Sequence, residues 1–280
     1  MRFSPLLPLV FSLLGACALK VEEADIFGPE PLPEQNLGFL NTDINFDDSR
    51  IGIRLNFPLT PQTDDRPVIV FFHGNSGNVV HWSPFTYRLA QSDARVIAVD
   101  YPGFGVSDGT PSLEGMRLSG LKVLTYLFDN KILTKDDTLV LYGLSLGSHP
   151  ALWLASDPSR VDQFGLDGLI VEAGLSNVED MVVHIRSRIS LNFLIRPQIS
   201  ERIVINNDEL IQNTPLNVYL LHGTKDQQIP PWMSQRLAVA AGAQLYDLWY
   251  VQGAGHTQPA FVAEEEFDRR LKAYLTFASH

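Results

Sequence analysis

Ser145 stands between two glycines, Gly143 and Gly147, where the apolar run Leu139–Gly143 gives way to a helical pattern. A serine hydroxyl is a weak nucleophile until a base removes its proton. The base must lie within hydrogen-bond reach, and it needs a partner of its own to hold it. Gly-x-Ser-x-Gly is short enough to arise by chance, so the rest of the chain must supply those partners. Three other apolar runs end in polar turn stretches: "FFHGNSGN" (Phe71 to Asn78), "LHGTKDQQIP" (Leu221 to Pro230) and "VQGAGHT" (Val251 to Thr257). They offer Asp226 and His256. With Ser145 as nucleophile, His256 as base and Asp226 orienting the imidazole, the set would perform acyl transfer.

Such a set needs a scaffold that gathers distant strand ends. Candidate strands are Leu37–Leu40, Ile51–Phe57, Pro67–Phe72, Arg95–Asp100, Thr138–Gly143, Gly168–Ala173, Asn217–His222 and Leu245–Val251. The first two are expected to be antiparallel, with "NFDDSR" (Asn45 to Arg50) between them. Helical patterns cover Val79–Gln91, Pro111–Phe128, Leu146–Ala155, Pro231–Ala241 and Pro259–Phe277. Thr110 is expected to cap the second, with Pro111 at its first position. Strands alternating with helices imply a parallel sheet covered on both faces. Ligands of such sheets sit beyond the carboxyl ends of the strands, which is where the four polar stretches fall.

The chain order Ser145, Asp226, His256 is that of the α/β-hydrolases. From about Leu37 onward the sequence resembles that superfamily. "HGNSGN" and "DYPGFGVSDG" (Asp100 to Gly109) are similar to a branch of membrane-associated serine hydrolases that includes protein depalmitoylases. The resemblance implies an α/β-hydrolase fold, a mostly parallel central sheet with helices on both faces. It implies a tight strand–turn–helix that lifts Ser145 into the cleft, and no metal or organic cofactor. The backbone N–H groups of Leu146 and Asn75 are assigned as the donors that hold the oxyanion. The fold hosts many reactions. Hydrolysis of a carboxylic ester or thioester is expected; peptide or amide cleavage by the same residues is the alternative. A ligand-binding protein that keeps the fold without turnover is a further one.

Other residues compete for these roles. His73 and His222 precede glycines at strand ends and are read as partners of their own loops. His149 is read as a helix residue, and His81, His184 and His280 have no supporting context. Glu172 closes "GLIVEA" at another carboxyl-end position and is the rival to Asp226. Asp100 with Gly103 and Gly105 suggests a dinucleotide loop, but Gly109 falls one position late for G-x-G-x-x-G, so the segment is read as a turn. The stretch 176–212 interrupts the strand–helix rhythm. It reads either as a longer helix packed on the sheet or as a small cap over Ser145 that would favour acyl chains.

The chain has 280 residues, 45% of them hydrophobic, and a formal net charge of −11. That charge argues against a nucleic-acid surface, which needs clustered Lys and Arg. No zinc spacing or phosphate-loop motif is present. "LLPLVFSLL" (Leu6 to Leu14) has signal-peptide length and is too short to span a bilayer. "LGAC" (Leu14 to Cys17) resembles a bacterial lipobox. This makes 1–16 a signal peptide and Cys17, the sole cysteine, a lipid attachment site. Residues 17–35 are then an acidic, Pro-rich extended tether holding the body off the membrane, and 36–280 the hydrolase domain. The protein would face the periplasm, at the outer membrane because Ala18 is not the Asp linked to inner-membrane retention. Ordinary cleavage around Cys17 would instead give a soluble periplasmic protein. The expected partners are a small acyl ester or lipid-like substrate and the membrane; the oligomeric state stays open.

Overall fold

The computed structural model describes residues 20–30, 40–46, 49–61, 64–188 and 198–280. Eight strands form one sheet: β1 (Leu40–Phe46), β2 (Ser49–Leu55), β3 (Val68–Phe72), β4 (Arg95–Val99), β5 (Leu139–Leu144), β6 (Leu166–Glu172), β7 (Val218–Gly223) and β8 (Leu245–Val251). Their spatial order is β8-β7-β6-β5-β3-β4-β2-β1. β2 runs antiparallel to both β1 and β4. The remaining neighbours are parallel. The flanking helices are α1 (Ser83–Ala90), α2 (Leu113–Asp129), α3 (Ser148–Ala155), α4 (Pro158–Phe164), α5 (Val178–Ser187), α6 (Asn207–Gln212), α7 (Trp232–Ala241), α8 (Pro259–Val262) and α9 (Glu264–Ala278).

β3 shows why its sequence is apolar throughout: every residue from Val68 to Phe72 is fully buried, because both faces of the sheet are covered. Val68, Val70 and Phe72 share one cluster with Met116 and Val123 of α2, Leu152 of α3 and Leu237 of α7. Ile69 and Phe71 share another with Phe85 and Leu89 of α1 and with Phe267 and Leu271 of α9. Each such side chain contributes about 1.5–3 kcal/mol on burial. The strand ends that carry the polar stretches are therefore set on a stiff support.

Several elements differ from expectation. The first strand is Leu40–Phe46, and its pairing with β2 extends to Phe46↔Ser49, into the stretch expected as a connection. Ile44 of this strand and Ile51, Ile53 and Leu55 of β2 are buried in the core, which draws the pairing out to that length. Residues 37–39 lie outside the described set. α2 is capped by Ser112, not Thr110; its hydroxyl accepts the Gly115 N–H at 2.9 Å, the usual reach from N-cap to third residue. The last helical pattern divides at Ala263, whose φ of −127° is not helical.

The stretch 176–212 leaves and re-enters through a bridge between Asn177 and Asn206. Within it α5 has no buried residue, though Val178 and Met181 pack against the core. Residues 189–197 lie outside the described set. Residues 20–30, expected to stand off as part of the tether, instead lie on the body. Lys20–Val21 pairs in parallel with Gln198–Ile199, and Gly28–Pro29 with Ser76–Gly77. Residues 1–19, including Cys17, are outside the described set. Among the described residues no helix is long and apolar enough to cross a membrane.

Candidate active site

Ser145 follows directly on β5, in a single 3₁₀ turn (Ser145–Gly147) that feeds α3. Its φ is 55°, left-handed backbone that costs a non-glycine residue about 1–3 kcal/mol. The two glycines explain how the turn closes. A Cβ on Gly147 would lie 2.1 Å from the Phe72 carbonyl oxygen, and one on Gly143 would lie 2.6 Å from Ser148 Cα. Only glycine lets these backbones approach so closely. The turn leaves Ser145 8% exposed. The Ser148 hydroxyl donates to the Ser145 carbonyl at 2.6 Å and braces it.

The structure brings the three sequence-assigned residues together. The Ser145 hydroxyl lies 2.9 Å from His256 Nε2, and His256 Nδ1 lies 2.6 Å from Asp226 Oδ2. An ionised carboxylate only accepts, so Nδ1 carries a proton and Nε2 is free to accept one from Ser145. Asp226 also accepts the Gln228 and Ile229 N–H groups on Oδ1, at 2.8 and 3.0 Å. His222 Nε2 is 3.1 Å from Asp226 Oδ2. Burial pushes the Asp226 carboxyl up, but the hydrogen bonds from His222 and His256 outweigh it and hold it well below the usual carboxylate range.

The sequence presents His222 only as a loop partner and does not disclose its bond to Asp226. Its Nε2 also faces the Ile229 carbonyl at 2.9 Å, and its Nδ1 faces the Ser234 hydroxyl at 2.6 Å. With two acceptors at Nε2, that nitrogen carries the proton and Nδ1 accepts from Ser234. The spacing of a strand-end His four residues before the acid is the one available signal.

Gly74 lies against the nucleophile: a Cβ on it would sit 3.7 Å from Ser145 Cβ. This brings the loop bearing Asn75 to the serine. The loop is held by its neighbours. His73 Nδ1 donates to the Gly74 carbonyl at 2.8 Å, Tyr101 Oη to the His73 carbonyl at 2.6 Å, and Trp82 Nε1 to the Ser76 carbonyl at 2.9 Å. His73 Nε2 faces Asp100 Oδ1 at 3.2 Å, which also accepts the Val79 N–H. Asp100 is therefore buried behind this loop, and burial pushes its carboxyl up. Leu146, the other assigned donor, is buried in the turn after Ser145.

The rivals are elsewhere. Glu172 is fully buried and bonded to the Tyr142 hydroxyl. Burial raises its carboxyl to about 8, opposed by the Tyr142 bond and aided by the Asp226 charge. His149 Nδ1 bonds Asn207 Oδ1 at 2.9 Å. Burial lowers its imidazole to about 4, against the Asn207 bond and with the Arg117 charge. His184 of α5 and Arg188, the residue that ends it, both reach the Gln227 carbonyl, next to Asp226, so α5 borders the acid loop.

A family model for the α/β hydrolase fold matches residues 67–182. Protein bem46 of Schizosaccharomyces pombe is 25% identical over 243 residues, 82% of this chain and 79% of that protein. Lysophosphatidylserine lipase ABHD12 of Bos taurus is 28% identical over 229 residues, 76% of this chain and 56% of that protein. The Pyrococcus furiosus esterase Pf2001 superposes with a TM-score of 0.69 at 15% identity, over 91% of this chain and 98% of the other. The chain has the α/β-hydrolase fold.

Proposed function

We propose that the chain is a serine hydrolase that cleaves carboxylic ester or thioester bonds through an acyl-enzyme on Ser145. The observation that carries this is the unbroken hydrogen-bonded path Ser145–His256–Asp226, starting from a strained turn. The names of the matched proteins, an esterase and a lysophosphatidylserine lipase, support a hydrolase acting on esters. In the first half-reaction Ser145 Oγ attacks the carbonyl carbon while its proton passes to His256 Nε2. The Leu146 and Asn75 N–H groups hold the resulting oxyanion. The tetrahedral species collapses, His256 protonates the departing alcohol or thiol, and an acyl-Ser145 ester remains. Water then attacks that ester, giving its proton to His256; the second tetrahedral species collapses as His256 returns that proton to Ser145 Oγ, and the carboxylic acid leaves. Asp226 stays ionised throughout and stabilises the imidazolium.

The substrate reading is an acyl ester or lipid-like molecule, with long-chain thioesters retained because of the depalmitoylase resemblance. Residues 1–16 are read as a lipoprotein signal and Cys17 as the acylated residue facing the periplasm. A fluorophosphonate probe tests the chemistry. It should label the wild type and not Ser145→Ala, and that substitution should lower kcat by about 10⁴–10⁶. A folded wild type that neither labels nor turns over would point to the silent binding protein. A panel of esters, thioesters and peptides separates the acyl bonds, and cleavage of peptides alone would favour the amidase alternative.

A further inference from the structure

We propose that Lys20–Glu30 is a working part of the active site, a positioning segment for the loop that carries the Asn75 N–H. This rests on the serine-hydrolase reading above. The segment crosses the loop as a short parallel strand, Gly28–Pro29 beside Ser76–Gly77. The Gly28 N–H donates to the Asn75 carbonyl at 2.7 Å, and the Glu30 N–H to the Gly77 carbonyl at 3.3 Å. The loop returns side-chain bonds: Asn75 Nδ2 donates to the Ile26 carbonyl at 3.0 Å and Asn78 Nδ2 to the Glu30 carbonyl at 3.1 Å.

The segment is itself moored. Glu23 Oε1 accepts the Leu113 N–H at the start of α2, at 2.6 Å. Phe27 meets Phe104 edge-on at 6.2 Å between centroids. Val21, Ile26 and Phe27 pack against the main apolar cluster. Its other end, Lys20–Val21, holds Gln198–Ile199 of the 176–212 stretch.

The geometry fixes Asn75 from both sides. A trans peptide is planar, and its N–H lies opposite its C=O. His73 holds the Gly74 carbonyl, which aims the Asn75 N–H of the same peptide. The segment holds the next peptide through the Asn75 carbonyl, and holds the residue again through its side chain. Without the segment, the peptide after Asn75 and its amide side chain lose these protein partners. Small displacements of such a donor are costly: about 1 Å can lower a rate about 10²-fold.

Two variants in the full chain and one reconstitution test this. Gly28→Pro removes the N–H that holds Asn75, and Gly28→Ala keeps it. Gly28→Pro should lower kcat about tenfold or more, with KM within about twofold and Gly28→Ala close to wild type. A chain lacking residues 20–30 should lose turnover likewise, and a synthetic peptide of that sequence added in trans should restore it saturably. A segment that only adds stability would not split kcat from KM in this way. If Gly28→Pro matches Gly28→Ala in kcat, or the shortened chain turns over like wild type, the positioning role is overturned while the serine-hydrolase reading stands. A wild type that does not label with fluorophosphonate overturns both.

Discussion

At the scale of residues, one carboxylate serves two imidazoles. Asp226 receives His256 and His222 on the same oxygen, and two backbone N–H groups on the other. This coordination holds it ionised and fixes the His256 tautomer whose Nε2 faces Ser145. An amide at 226 would present an N–H where His256 needs an acceptor. Asp226→Asn should therefore lower kcat by about 10⁴, while Glu172→Gln stays within a few fold; kcat measured on one ester for both variants decides it, and the reverse ranking would move the acid to β6. Ser145, Asp226 and His256 are legible because each follows an apolar run and is flanked by turn residues, an arrangement the sequence displays directly. His222 is not. Its role depends on the Lys225–Ile229 turn folding the acid back onto its own strand, which four residues of spacing do not announce.

At the scale of elements, β6 carries a carboxyl that the fold keeps protonated. Glu172 titrates at about 8 in the folded chain because it is wholly buried, with the Tyr142 bond only partly opposing the shift. In the unfolded chain it titrates at about 4.3. A raised acid pKa means that the folded state binds the proton more tightly. Stability is then greatest below the unfolded value and falls as pH rises toward about 8, beyond which this contribution is flat. The slope is at most about 1.4 kcal/mol per pH unit. Denaturant unfolding from pH 5 to 8 should show wild type losing stability relative to Glu172→Gln; parallel curves would refute the buried-acid account. Most strands and helices are legible from continuous apolar runs and from the 3.6-residue pattern, since both faces of the sheet are covered. The first strand and the cap of α2 are not, because the pairing of Leu40–Phe46 with β2 and the choice between Thr110 and Ser112 depend on contacts that periodicity does not encode.

At the scale of the whole molecule, the docked segment changes what the proposed lipid anchor would do. Residues 20–30 carry several acidic residues and Pro29 with no apolar period, which is why the sequence reads as a free tether there. Val21, Ile26 and Phe27 do pack on the core, but at neither a helical nor a strand period, and the other contacts are backbone bonds and asparagine amides, which leave no hydrophobic pattern to read. Docking removes most of the tether's length. From Cys17 to Lys20 the chain reaches about 10 Å at most, and Lys20 sits on the stretch that also bears α5. Val183 and Ile185 of α5 are 61% and 45% exposed, and α5 borders the acid loop. A lipid on Cys17 would therefore hold the bilayer close to the 176–212 stretch, so that a lipid substrate would enter the site from that side. Cys17→Ala should move the protein from the membrane to the soluble fraction and leave hydrolysis of a water-soluble ester unchanged. A Gly/Ser insert of about 20 residues between Leu19 and Lys20 should retain membrane attachment but let the body drift by roughly 25 Å. It should spare the soluble ester and slow hydrolysis of acyl lipids in the same vesicles, because the effective concentration at the site falls. If vesicle lipids are cleaved equally fast with and without the insert, the short anchor has no part in presenting substrate; if the unmodified protein is soluble, Cys17 carries no lipid.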